Sequence, residues 1–263
     1  MVTIKSKKEI ELMREACRIT NLVYKEIEKV IKPGMSTLEL DNFAGKIIKE
    51  NGGIPAQKGY PSGQKGVPPF PAVLCISIND EVIHGIPSKN KIIQDGDVVS
   101  IDLVVYKDGF NGDAARTFIV GNGTEEAKKL VDITKQAFFE GIKYAVKGNR
   151  IGDISHRIGE FVEANGYSVV REFQGHGIGR EMHEDPGIPN YGKAGRGIRL
   201  EPGMTLAIEP MVIAGRPDIY EDVDGWTILT DDGSLAAHYE NTILITAGDP
   251  VLLTLPDGFP EVE

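Results

Sequence analysis

No apolar run in this sequence approaches the roughly 20 residues that a bilayer span requires. The opening MVTIKSKKEIELMREAC lacks the apolar stretch of a secretory signal. Basic residues are outnumbered: 29 Lys plus Arg against 39 Asp plus Glu give a formal net charge of −10. The basic surplus of a nucleic-acid binder is therefore missing. Cysteine is scarce, with Cys17 and Cys75 alone. Two are too few for a disulfide framework and fit a reducing cytoplasm. Hydrophobic residues at 41% and charged residues at 26% are ordinary globular values, which excludes wholesale disorder. The expectation is an acidic cytoplasmic protein with no membrane and no nucleic-acid partner. Its 263 residues suit one domain, 1–263, burying on the order of 70–75% of its unfolded surface.

Punctuation divides the chain into helices and strands. Ser6 and Glu9 have capping-box spacing ahead of an apolar helical stripe through Ile10, Met13, Cys17, Val23, Ile27 and Ile31. Ser36 and Glu39 repeat the signal, and Asn51-Gly52 stops the second helix. Residues 56–71 are too rich in Gly and Pro for a regular element. Strands are predicted over 72–78, 98–107, 113–120, 204–213, 225–230 and 235–245, and helices over 124–147 and 152–165. The order recurs. Asn165-Gly166 answers Asn51-Gly52, His176-Gly-Ile answers His84-Gly-Ile, and Glu209 answers Asp102. The chain therefore reads as two pseudo-equivalent α+β halves, roughly 1–120 and 121–250.

Asp102 in VVSIDLVV and Glu209 in TLAIEPMV are lone acids in apolar text. An ionised carboxylate buried there must meet a cation, a proton or a metal. A tight turn at Asp108-Gly109 would set Val104 opposite Asp113 and Asp102 opposite Ala115. Asp102 and Asp113 then share a face, roughly 7–8 Å apart between backbones. Buried pairing with Arg or Lys, a shared proton and a metal centre all answer that charge. Asp102, Asp113, Glu209 and Glu240 carry four negative charges, which two divalent ions would balance. Oxygen-rich ligation with one imidazole favours Mn, Fe or Co over a thiolate-type zinc site, and a two-metal pair is a known clamp for hydrolysis. Among the histidines, His176 in QGHGIGR is flanked by glycines that admit a close ligand. His84 and His183 lie in similar loop text, and His156 reads as solvated. His238 shares strand parity with Glu240, so it can face the same cavity, in support of a ligand or as one.

These motifs resemble the type I methionine aminopeptidases of metallopeptidase family M24. The resemblance rests on SIDLVV, FNGDAARTF, GHGIGR, AIEPMV and HYENT and spans the chain from its first helix to about Ile245. It implies the pita-bread fold, a pseudo-twofold α/β arrangement around an antiparallel sheet. It implies two divalent ions (Co, Mn, Fe, Zn or Ni) held by Asp102, Asp113, His176, Glu209 and Glu240. The implied reaction removes the initiator methionine from nascent chains when the second residue is small, by attack of metal-bound hydroxide on the scissile carbonyl. Glu209 would be the general base, His183 would steady the oxyanion and His84 would sit near the departing nitrogen. Tyr60, Phe70, Cys75 and Trp226 would form the methionine pocket, soft and aromatic as a thioether prefers. The loop 61–69 looks longer than in common bacterial relatives, and Met182 stands where many carry an aromatic residue. A monomer is implied, with the ribosome as a partner through its nascent chains. Two rivals remain. Proline-specific peptidases of the same fold usually carry a further N-terminal domain, and a non-catalytic pita-bread module typically loses ligands that this chain retains.

Overall fold

The computed structural model describes residues 2–255. Both capping boxes form: Glu9 N donates to Ser6 Oγ at 3.3 Å while Ser6 N donates to Glu9 Oε2 at 2.9 Å. They open α1 (Lys7–Val30) and, at Ser36, α2 (Thr37–Glu50). Met13, Cys17, Val23 and Ile27 of the stripe are buried as their spacing predicts, while Ile10 is partly buried and Ile31, also partly buried, caps the helix rather than continuing it. The third and fourth helices run Glu125–Ile142 and Ile151–Ala164, labelled α3 and α4. The predicted 124–147 helix thus ends early, in a turn where Ala145 N bonds Ile142 O and Gly148 takes φ +93°.

Nine strands build the central sheet, and every pairing in it is antiparallel. Its path runs Ile54–Pro55, Val98–Lys107, Phe110–Ile119, Glu240–Leu244, Thr205–Ile208, Gly175–Gly177 and Glu184–Ile188. Cys75–Ile78 also pairs with Val98–Lys107, and Val251–Leu252 with Glu240–Leu244. The turn at Asp108-Gly109 has φ +50° and +89°, the left-handed pair of a type I′ hairpin. Its register matches the expectation, with Asp102 opposite Ala115 and Val104 opposite Asp113.

Two predicted strands prove to be broken, and the breaks matter. Residues 204–213 split into Thr205–Ile208 and Met211–Ile213. Pro210 has no N–H to give a ladder, and the chain leaves the central sheet there. Met211–Ile213 joins a separate three-stranded sheet with Ala236–His238 and Ser168–Val169. Residues 235–245 split likewise at Tyr239, whose N–H donates to Pro210 O at 3.2 Å. Glu209 and Glu240 therefore stand at the seam between two sheets. The predicted strand 225–230 shrinks to Ile228–Thr230, which pairs with Glu81–Ile83 and Ile219–Glu221 in a third sheet.

The core divides around the central sheet. Ile19, Val23, Leu40 and Ile48 of α1 and α2 pack with Ile76, Val99, Ile101 and Leu103. Leu130, Phe138, Ile154 and Ile158 of α3 and α4 pack with Leu206, Ile208 and Ile243. Each fully buried side chain of this size contributes about 1.5–3 kcal/mol, so the strands bearing the acids rest on rigid support. Among the described residues, no helix is long and apolar enough to cross a membrane.

Candidate active site

A cavity of about 780 Å³ opens at the seam. Asp102, Asp113, His176, Glu209 and Glu240 line it, together with His84, His183, Tyr60, Phe70, Cys75 and Trp226. Strand geometry explains the convergence. Glu240 pairs in register with Ala115, next but one to Asp113 along its strand, and His176 pairs with Ala207, next but one to Glu209. Residues two apart on a strand share a face, which sets Glu240 beside Asp113, while Glu209 follows directly on the end of the strand Thr205–Ile208.

Asp113, His176 and Glu240 each offer a ligand atom within 4.8 Å of the others. His176 Nε2 lies 3.7 Å from Asp113 Oδ2 and 3.6 Å from Glu209 Oε1. Three oxygens in this group, Asp102 Oδ1, Asp113 Oδ1 and Glu240 Oε1, are buried without a hydrogen-bond partner. Such orphans cost free energy unless something fills the space between them.

The surrounding charge does not come from an ion pair. Arg116 donates to the carbonyls of Ala115 and Glu240 and to Asn241 Oδ1, and its guanidinium lies 4.7 Å from the centre of the Tyr239 ring. Among the described residues, no Lys or Arg forms a salt bridge with any of the four acids. Burial instead pushes the carboxyls up: Asp102 to about 7 and Glu209 to about 8. Asp113 and Glu240 rise as well, through burial and the charges of their acidic neighbours.

His84, His176 and His238 are neutral for a related reason. Burial lowers His176 to about 3 and both His84 and His238 to about 4. A neutral imidazole is the form that can accept a ligand bond or donate a single hydrogen bond. His176 Nδ1 meets Gly177 O at 2.9 Å, which leaves Nε2 toward the acids. His183 Nδ1 meets Tyr60 Oη at 2.7 Å, and its ring stands edge-on to His176 at 4.4 Å. His84 has φ +58°, a conformation rare for a side-chain-bearing residue. Strain of that kind clusters at functional sites. His238 Nε2 lies 3.5 Å from Glu209 Oε2 and is itself buried without a hydrogen-bond partner. His156 is exposed, and its Nδ1 meets Gly192 O at 3.1 Å.

One end of the cavity is apolar. Phe70 and Trp226 meet edge to face at 5.2 Å, and Phe70 and Cys75 are buried. Burial and the nearby acids hold the Cys75 thiol well above its ordinary range, so it is protonated and unreactive. The loop 61–69 braces this wall: Trp226 Nε1 donates to Pro68 O at 3.0 Å and Gln64 Nε2 to Glu221 Oε2 at 2.7 Å. Met182 lines the mouth.

Three contributors escaped the sequence reading. Gln57 donates to Cys75 Sγ at 3.4 Å, Phe173 stands edge-on to His84 at 5.6 Å, and Asn190 Nδ2 holds Glu209 O at 2.9 Å. Phe173 sits three residues before His176, immediately ahead of the QGHGIGR motif. Gln57 and Asn190 lie in loop text with no periodicity to mark them.

Comparison with known proteins agrees with this geometry. Residues 11–247 match the profile of metallopeptidase family M24. A methionine aminopeptidase of Clostridium acetobutylicum is 51% identical over 97% of this chain and 99% of its own length. The solved methionine aminopeptidase of Thermotoga maritima superposes with a TM-score of 0.92, at 44% identity over 97% of this chain and 99% of that one. A prolidase from Pyrococcus furiosus shares the architecture at a TM-score of 0.75 and 26% identity, but this chain covers only 65% of it. The architecture is the pita-bread fold common to these peptidases. The chain belongs to metallopeptidase family M24, among its methionine aminopeptidases.

Proposed function

We propose that this chain removes the N-terminal methionine from polypeptides whose second residue is small, as a single catalytic domain of two pseudo-equivalent halves. The observation that carries this reading is the juxtaposition of orphaned carboxylate oxygens and a neutral imidazole with a soft aromatic pocket. The donor set fits divalent metal. Four carboxylates and one imidazole surround unfilled hydrogen-bonding capacity, and two ions would balance their charge. Asp102, Asp113 and Glu240 would hold one ion, and Asp113, Glu240, His176 and Glu209 the other. Ions of the Mn, Fe, Co, Ni or Zn group bound there would supply Lewis acidity, polarising a carbonyl and making water a better nucleophile.

The chain's own residues do the rest. Tyr60, Phe70, Cys75 and Trp226 receive the methionine side chain, with Cys75 as a neutral thiol. Glu209 accepts the proton of the attacking water, held by Asn190 at its carbonyl and by His238 beside its carboxyl. His183, oriented by Tyr60 through Nδ1, has Nε2 free to donate to the oxygen that becomes negative. His84 stands by the departing nitrogen, which takes the proton as the C–N bond breaks. The same reading makes the substrate a nascent chain in the cytoplasm and the enzyme a monomer.

Release of methionine from Met-Ala-Ser and Met-Lys-Ser by metal-loaded protein tests this proposal. The Ala peptide is cleaved, and the Lys peptide at least about 100-fold more slowly, as expected when a small site must reject a large group. Cleavage of X-Pro peptides in preference, or of neither Met peptide with any of these metals, would overturn it.

A further inference from the structure

The N-terminal segment reaches the active-site rim from the far end of the sequence. Lys5 is 7% exposed. Its Nζ meets Glu184 Oε2 at 2.6 Å, with the two side chains 5% and 10% exposed. Thr3 Oγ1 donates to the same oxygen at 2.6 Å, and Lys5 Nζ also meets Thr3 Oγ1. The backbone is tied as well, with Lys5 N donating to Gly203 O at 2.8 Å.

Glu184 closes the turn that carries His183. Its other oxygen, Oε1, accepts from Glu181 N at 3.4 Å, and Gly179 N bonds Glu181 O at 3.1 Å. Gly179 is pressed against the lysine: a Cβ there would fall 2.5 Å from Lys5 Cε and 2.6 Å from Glu184 Oε1. On its other side the turn is held by Asn111, whose Nδ2 donates to Gly179 O and Arg180 O. Residues 179–184 therefore lie between a strand of the central sheet and the N-terminal segment, with His183 at the open end. Burial pushes the Glu184 carboxyl up, but the bonds from Lys5 and Thr3 outweigh it and hold the group below its ordinary value.

We propose that Lys5 is a positioning residue for His183: by neutralising and gripping Glu184 it fixes the 179–184 turn and so aims the imidazole into the cavity. This rests on the function proposed above for His183. A side chain aimed by a turn loses most of its effect when displaced by an ångström, and nothing else among the described contacts gives Glu184 a cation.

The test is Lys5→Met and Lys5→Arg in the full, metal-loaded chain, alone and combined with His183→Ala. Lys5→Met is expected to lower kcat for Met-Ala-Ser about tenfold with KM within about twofold, a share of the loss that misplacement brings. Lys5→Arg restores most of it. In the His183→Ala background Lys5→Met costs nothing further, because the group it aims is gone. Amide exchange of residues 179–184 accelerates in Lys5→Met. If that variant does not fold, Glu184→Gln breaks the same pairing at constant size and is expected to behave alike. The same fractional loss with and without His183, or unchanged kcat and unchanged exchange, overturns the proposal. Should the wild type release no methionine, the functional reading falls, and the exchange comparison still decides whether Lys5 fixes the turn.

Discussion

Glu209→Gln lowers kcat for methionine release from Met-Ala-Ser by about 10³-fold, in the middle of the range seen when a general base is removed. Glutamine keeps the size of the side chain and one oxygen, but that oxygen does not accept a proton from water at neutral pH. The break at Pro210 holds Glu209 at the seam, 3.6 Å from His176 and 3.5 Å from His238. The same substitution should not harm folding. Burial raises the Glu209 carboxyl to about 8, so the metal-free fold gains by losing an acid it prefers to keep protonated. The expected pair of results is therefore opposite in sign: activity falls steeply while the metal-free melting temperature at pH 8 rises. Steady-state kinetics and calorimetry check the two together. Activity within about tenfold of wild type would place the base elsewhere.

Removing metal should make stability depend on pH with a sign unusual for carboxylates. In the unfolded chain these acids titrate near 4. In the metal-free fold Asp102 lies at about 7 and Glu209 at about 8, with Asp113 and Glu240 pushed up as well. Between those values the folded state binds more protons than the unfolded state, so stability falls as pH rises. The buried histidines act in the opposite sense. His176 at about 3 and His84 and His238 at about 4 make the unfolded chain the better proton binder until it passes its own histidine value near 6.5. The two effects compete below about pH 6.5, and above it the carboxylates act alone. Chelated protein scanned between pH 6.5 and 8 should melt at progressively lower temperature. Protein reloaded with Mn or Co should melt higher at every pH and lose the slope, because bound ions keep the acids ionised. A melting temperature that rises with pH in chelated protein, or that ignores added metal, would contradict the electrostatics described.

Much of this was legible because local rules and the global fold agree. Ser6 with Glu9 and Ser36 with Glu39 marked both helix starts, and the Asp108-Gly109 turn fixed the register that puts Asp102 and Asp113 on one face. The acids stood out by their cost in apolar text. Periodicity could not reveal that 204–213 and 235–245 each change partners midway, since an apolar run reads alike whichever sheet it joins. Pro210 was the one printed warning. Long-range polar contacts were beyond reach for a different reason. Lys5 and Glu184 are 179 residues apart, and neither sits in a pattern that demands the other. Gln57 and Asn190 act through single hydrogen bonds from irregular loops, where no repeat distinguishes a buried amide from a solvated one.

Anomalous diffraction from crystals of Mn-loaded protein tests the central claim most directly, because it locates the ions without assuming activity. Two peaks are expected at the seam, within bonding reach of Asp102, Asp113, His176, Glu209 and Glu240, beside the pocket of Phe70, Cys75 and Trp226. Absence of any peak among those five side chains in protein shown to be Mn-loaded would contradict the assignment of the metal centre and the chemistry built on it.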